Sequence, residues 1–325
     1  MRAVLFGGTV PPLHAKTGEF LATDPYARAR VAQAEARLGT GLLERFAGAA
    51  ESYSSIARQA YLITCVALAD RHEEEDGPPG LCVAASLGHL PALHRVGALS
   101  FEEMLRLGDE IAVRENEWTA RERGYSAHFM YRVDRDRLAE LRSLVEADGG
   151  WTEVAGRFND QIHLLNVTAE HLPLLEREVR AGGGVPVLSF GQAEHSSVNA
   201  PLRDRLADEV MAAAEVRDAR TGMVSGATGE VLHDRESLRA LLVRDCVTPV
   251  DFPLVVATLQ AAGVDRVCVV GPGNLFERLT REHFDVVVIA PDGRARGLAG
   301  TGAPRVVSSP QGGGPGPGSR NGVGP

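Results

Sequence analysis

Apolar positions along the chain change period several times, and each change marks an element. "AVLFGG" near the start is a short apolar run ending at glycines, the pattern of a buried strand. "DPYARARVAQAEARLG" and "SSIARQAYLITCVALADR" then place apolar residues at helical spacing. "HEEEDGPPG", His72 to Gly80, is acidic and proline-rich and reads as a solvated loop, not a metal site. "LCVAAS" is a second buried strand, followed by a helix to about Val96. "SFEEMLRLGDEIAVRENEW" is a long helix, with Ser100 as cap and Glu103 completing a capping box.

The middle of the chain alternates differently. "SAHFMYRV" is a strand, "DRDRLAELRSLVEADG" a helix, and "WTEVAGRF" and "QIHLLNV" are strands joined by an Asn-Asp turn. "TAEHLPLLEREVRAGG" is a helix capped by Thr168, and "VPVLSF" a closing strand. The order β-α-β-β-α-β is that of a ferredoxin-like unit. Helix and strand then alternate again through "NAPLRDRLADEVMAAAEV", "RESLRALLVRDC", "DFPLVVATLQAAG", "RVCVVGPG", "NLFERLTREH" and "FDVVVIAP". The predicted organisation is a discontinuous α/β unit over 1–124 and 191–302, a small unit inserted at 125–190, and a disordered Gly/Pro-rich tail at 303–325.

Composition narrows the class. The 325 residues are 44% hydrophobic, enough for one large core with a smaller insert. No apolar run reaches the roughly 20 residues that span a bilayer, and the N-terminus lacks the shape of a signal peptide, so a cytoplasmic protein is expected. A net charge of −9 argues against nucleic acid or an anionic membrane as partner. Cys65, Cys82, Cys246 and Cys268 form no C-x-x-C pair, and the histidines lack ligand-like spacing, so neither a disulfide framework nor a metal is predicted. Lys16 is the sole lysine, which leaves little room for a catalytic amine. "VVGPGN" is a glycine turn too short to signal phosphate binding by itself.

Chemistry points to one corner. In "LCVAASLGHLPAL" a strand turns into a helix at Ser86, as in the G-x-S-x-G turn of serine acyl-transfer enzymes. Only the second glycine, Gly88, is present; Ala84 stands at the first.

With its inserted unit, the chain resembles the malonyl-CoA:acyl-carrier-protein transacylases and the acyltransferases of polyketide synthases. The resemblance runs from about Met1 to Gly302. It is carried by the order and spacing of "FGGTVPP", "ARQAYLITCVALAD", "AASLGHLPAL", "VGALSFEEMLRL", "QAEHSSVNAPL", "ATGEVLHDRESLRALLVRDCVTPVDF" and "VVGPGNLFERL". It implies an α/β-hydrolase-like large subdomain with a parallel sheet and a ferredoxin-like small subdomain. It further implies ping-pong acyl transfer, with Ser86 as nucleophile and His195 as its base. The oxyanion would be held by the backbone N–H groups of Leu87 and of Thr9, in the first loop.

The chain also departs from that pattern. Ala85 replaces the histidine before the serine, and His89 a glutamate one turn later. Ile111 occupies the position of the arginine that binds the malonyl carboxylate, with Arg114 one turn on as a candidate substitute. Asp245 replaces a glutamine and is a candidate partner for His195. An isoleucine cannot form the paired charged hydrogen bonds that a guanidinium offers a carboxylate. The expected reaction therefore moves an uncharged, aminoacyl or longer acyl group from a CoA or phosphopantetheinyl thioester to an acyl carrier protein, as a trans-acting enzyme of polyketide-type biosynthesis with no permanent cofactor. Arg121, Arg123 and arginines of the insert are candidates for contacting the acidic carrier. A thioester hydrolase that clears stalled carriers and a non-catalytic scaffold stand as alternatives.

Overall fold

The computed structural model describes residues 1–8, 14–49, 54–272 and 275–292. Thr9 and the 303–325 tail lie outside them. Among the described residues the strands are β1 (Arg2–Phe6), β2 (Leu81–Ala84), β3 (Tyr125–Tyr131), β4 (Thr152–Arg157), β5 (Ile162–Thr168), β6 (Val185–Phe190), β7 (Gly222–Ser225), β8 (Val231–Leu232), β9 (Val250–Asp251), β10 (Arg266–Val270) and β11 (Asp285–Ile289). They form two sheets. The six-stranded sheet runs β11-β10-β1-β2-β7-β8, parallel except for the β7–β8 pair at its edge. Its strands are short apolar runs buried on both faces, as a parallel sheet requires. Ala3 and Leu5 of β1 face one core; Val4 and Phe6 face the other.

The five-stranded sheet runs β6-β3-β5-β4-β9. Its first four strands have the ferredoxin-like order, with two helices, Arg135–Ala147 and Leu172–Ala181, on one face. The fifth, β9, comes from outside the 125–190 segment and pairs parallel to β4. The other face of this sheet contributes Phe129, Phe158 and Leu164 to the core shared with β1, β2 and β10. The two sheets are therefore joined through one continuous apolar layer. Among the described residues no helix is long and apolar enough to cross a membrane.

Helix Ser55–Asp76 packs behind the parallel sheet and is buried almost without interruption from Ala57 to Ala69. It continues through the acidic stretch read as a loop, stopping only where Gly77 adopts a φ of +76°. Glutamates are good helix formers, the Glu73–Arg95 ion pair holds this last turn against the body, and His72 contacts Asp76 within the helix itself. His72, Glu75 and Asp76 approach one another closely enough to share a cation, but both His72 nitrogens are engaged, by Asp76 and by the Cys268 thiol. Ser100 caps helix Phe101–Arg121 by accepting from the Glu103 N–H, as predicted. Thr168 does not cap its helix; its hydroxyl accepts from the Trp151 N–H. The helix predicted after Asn199 is broken into Ala200–Arg205 and short wider and tighter turns through Ala213. Strand β7, beside β2, was missed because "GMVS" is too short to show a period.

Candidate active site

The site begins at the end of β2. Ala85 is extended, and Ser86 then takes φ +54°, a left-handed conformation that costs a non-glycine residue roughly 1–3 kcal/mol. A short 3-10 turn, Ser86–Gly88, leads into helix His89–Arg95. This sharp strand-to-helix corner lifts the serine off the sheet edge. Gly88 is required by a close approach: a Cβ there would lie 2.3 Å from the Phe6 carbonyl oxygen at the end of β1. The absent first glycine matters less, because Ala84 packs its methyl fully inside the core. Gly8 passes beside the serine, so that a Cβ on it would stand 3.8 Å from Ser86 Oγ. The Tyr61 hydroxyl donates to the Gly7 carbonyl and fixes the start of this first loop.

His195 follows β6 in a tight loop, also with a left-handed backbone, φ +44°. Several bonds hold this loop. Asn166 of β5 donates to the Glu194 carbonyl at 2.8 Å and accepts from the Glu194 N–H at 2.9 Å. The Glu153 carboxylate of β4 accepts from the Ser196 hydroxyl and the Ser197 N–H. Asn199 donates to the carbonyls of Ala193 and Cys246, each at 3.1 Å, and accepts from Trp118 Nε1 at 3.0 Å. His195 Nδ1 lies 2.7 Å from the Asp245 backbone oxygen. A carbonyl only accepts, so Nδ1 carries the proton and Nε2 is the basic nitrogen.

Ser86, Leu87 and His195 line one cavity of about 350 Å³. Ala85, His89, Ile111 and Asp245 are also in its wall; Arg114 is not. The Arg114 guanidinium turns away to Glu209, 2.5 Å from Nε, so a single turn of helix did not bring it to the face of Ile111. His89 is buried, and its Nδ1 lies 3.2 Å from Asp245 Oδ1. The Asp245 carboxylate stands 3.8 Å from His195 Nδ1, beyond hydrogen-bond reach. The candidate Ser-His-Asp arrangement is thus not formed by the carboxylate. The backbone carbonyl of the same residue orients the histidine instead.

The electrostatics favour a charged histidine. Burial alone depresses the His195 pKa, but Asp245 and Glu194, with the Asp245 carbonyl and Glu115, outweigh it and the net shift is upward. Burial also opposes ionisation of Asp245, yet His89 and His195 bring its pKa below the usual carboxylate value. Glu194 moves the other way: burial raises it, and the nearby cations compensate only in part. Cys246 lines the cavity but is no rival nucleophile, because burial and then the Asp245 charge push its thiol far up.

The sequence reading missed the cavity's charged wall. Arg58, on the helix behind the parallel sheet, forms a buried ion pair with Glu115, four residues after Ile111. Glu194 and Asn199 also line the cavity. Arg58 and Glu115 are far apart in sequence and carry no local signal. Glu194, directly before the predicted base, was the one detectable candidate.

The fold thus combines a parallel α/β sheet, a ferredoxin-like insert and a strand-to-helix serine corner that shares one cavity with a histidine. No family model matches the chain. Over 229 residues, 70% of this chain and 71% of the relative, it is 25% identical to the malonyl CoA-acyl carrier protein transacylase of Bacillus subtilis. Over 254 residues, 77% of this chain but only 21% of the longer relative, it is 26% identical to the polyketide biosynthesis protein ThaF of Burkholderia thailandensis. The fold matches that of FabD from Acinetobacter baumannii with a TM-score of 0.78 at 17% identity, covering 89% of this chain and 94% of that one. It matches a type II polyketide synthase malonyl-transacylase, solved in complex with its acyl-carrier protein, with a TM-score of 0.78 at 21% identity, covering 89% and 96%. The chain is thus similar in sequence to a malonyl CoA-acyl carrier protein transacylase and shares the fold of solved ones.

Proposed function

We propose that this protein is an acyltransferase that takes an acyl group from a CoA or carrier-protein thioester onto Ser86 and passes it to an acyl carrier protein. The observation that carries this reading is the shared cavity: Ser86 sits on its strained corner, and His195 lines the same space with Nδ1 bonded to the Asp245 carbonyl. Nε2 is then free to accept the Ser86 proton as Oγ attacks the thioester carbonyl. The thiol leaves with that proton, and an ester remains on Ser86. The carrier thiol returns the group by the same steps in reverse. The N–H of Leu87, first after the corner, supports the developing oxyanion.

The acyl group on this reading is not malonyl. Ile111 lines the cavity and offers no charge, and Arg58, the guanidinium that does line it, is paired with Glu115. A malonyl carboxylate buried there unpaired would cost several kcal/mol, by rough order of magnitude. The test is intact mass spectrometry after incubation with a panel of acyl-CoA and acyl-carrier thioesters. An adduct that disappears in Ser86→Ala and moves to an added carrier thiol supports the reading. Release to water instead of thiol points to a hydrolase. Absence of any adduct, or fastest loading from malonyl-CoA, overturns the assignment.

A further inference from the structure

The cavity wall carries four carboxylates, Glu115, Glu122, Glu194 and Asp245, against one guanidinium, Arg58. Glu115 holds Arg58, and Asp245 contacts both wall histidines. Glu122 is exposed, at the rim. Glu194 differs from the other three. One carboxylate oxygen accepts from Gln192 Nε2 at 2.7 Å, and among the described residues no guanidinium forms an ion pair with it. Its backbone is fixed on both sides by Asn166, so the position of the side chain is set by a fully buried residue of the small sheet.

Several polar donors of the wall are already committed. Trp118 Nε1 donates to Asn199, and the Asn199 amide to two carbonyls. The Thr119 hydroxyl donates to Gln192 at 2.7 Å, and the Gln192 amide to Glu194. The Glu194 carboxylate and the buried His89, whose ring nitrogens have no well-aligned hydrogen-bond partner, remain toward the cavity. A wall with four carboxylates against one guanidinium favours a substrate that brings positive charge.

We infer that the acyl group this cavity selects bears a basic amine, that is, an aminoacyl-type thioester whose ammonium is bound by Glu194. This rests on the acyltransferase reading above. It narrows the substrate class from any group lacking a carboxylate to one carrying a cation. The raised pKa of Glu194 is consistent, since desolvation raises it and the nearby His195 and Arg58 offset this only in part, so that an ammonium beside it would favour the charged form.

The experiment uses pantetheine thioesters with the full-length protein: the isosteric pair β-alanyl, which ends in an ammonium, and butyryl, which ends in a methyl, and the slightly longer succinyl, which ends in a carboxylate. The rate of Ser86 acylation is read by intact mass. The β-alanyl group is expected to load about tenfold or more faster than butyryl, and succinyl slowest, because a site built around a polar group discriminates strongly against an analogue lacking it. In Glu194→Gln the β-alanyl over butyryl ratio is expected to fall by about tenfold. Loading of butyryl as fast as β-alanyl, preference for succinyl, or a ratio unchanged in Glu194→Gln overturns the inference while leaving an acyltransferase. Failure of every thioester to load Ser86 overturns the acyltransferase reading and this inference with it. The wild-type ratios decide the matter even if the variant folds poorly.

Discussion

Replacing Asp245 by asparagine separates two roles that one residue combines here. Its backbone carbonyl, 2.7 Å from His195 Nδ1, survives the substitution; its carboxylate, 3.8 Å away, loses its charge. At that distance the charge stabilises the imidazolium by about 1 kcal/mol in water and about 4 kcal/mol at an effective dielectric of 20. At 1.36 kcal/mol per unit this is about 1 to 3 pH units, and the competing contact with His89 argues for the lower end. The sign follows from the base's role. His195 must be neutral to accept the serine proton, and the Asp245 charge raises its pKa. The acid limb of kcat/KM therefore lies above the usual histidine range in the wild type, and in Asp245→Asn it moves to lower pH by about one unit. At high pH, where the base is neutral in both proteins, the loss is expected to stay below about tenfold, because the carbonyl still holds the ring. The assay is thiol release across pH with a saturable acyl thioester. A plateau loss approaching the roughly 10⁴ seen when an orienting triad aspartate is removed would refute the assignment of orientation to the carbonyl. An unmoved acid limb would refute the electrostatic role.

Two further substitutions probe how the site is held. Asn199→Ala removes the side chain that joins the Ala193 and Cys246 carbonyls to Trp118; it is expected to cost about 2–4 kcal/mol by denaturant titration and at least about tenfold in kcat/KM. Unchanged kcat/KM in a destabilised but folded variant would show that the staple does not position the base. Gly88→Ala places a methyl against the Phe6 carbonyl and is expected to lower the melting temperature by several degrees, through an overpacking cost of about 1–3 kcal/mol; a wild-type melting curve would contradict the close approach.

Much of the architecture was readable from the chain. The β-α-β-β-α-β segment was legible because its strands are short, largely apolar runs bounded by turns and its helices are amphipathic. Strands β7 to β9 were invisible because two to four residues cannot display a period, yet β7 flanks the strand that carries the serine and β9 joins the two halves of the fold. At the site, Ser86 at a corner and His195 after the insert are in register with local motifs, and both line one cavity. Arg58 and Glu115 carry no such signal, because an ion pair between two helices exists only after they pack. Arg114 was misjudged for a related reason. Helical spacing gives the angle around one helix, while the acidic neighbour that captures the side chain, Glu209, belongs to another segment.

The loop bearing the base has a further consequence through its attachments. Ser86 is mounted on the parallel sheet, whereas the residues flanking His195 are tied to the second sheet through Asn166 and Glu153. The same loop is held from outside the 125–190 segment by the Asp245 and Cys246 carbonyls and Trp118, so the base is clamped from both sheets at once. Loosening either sheet would therefore release only some of the bonds that fix the ring, and the base behaves as a rivet through both layers.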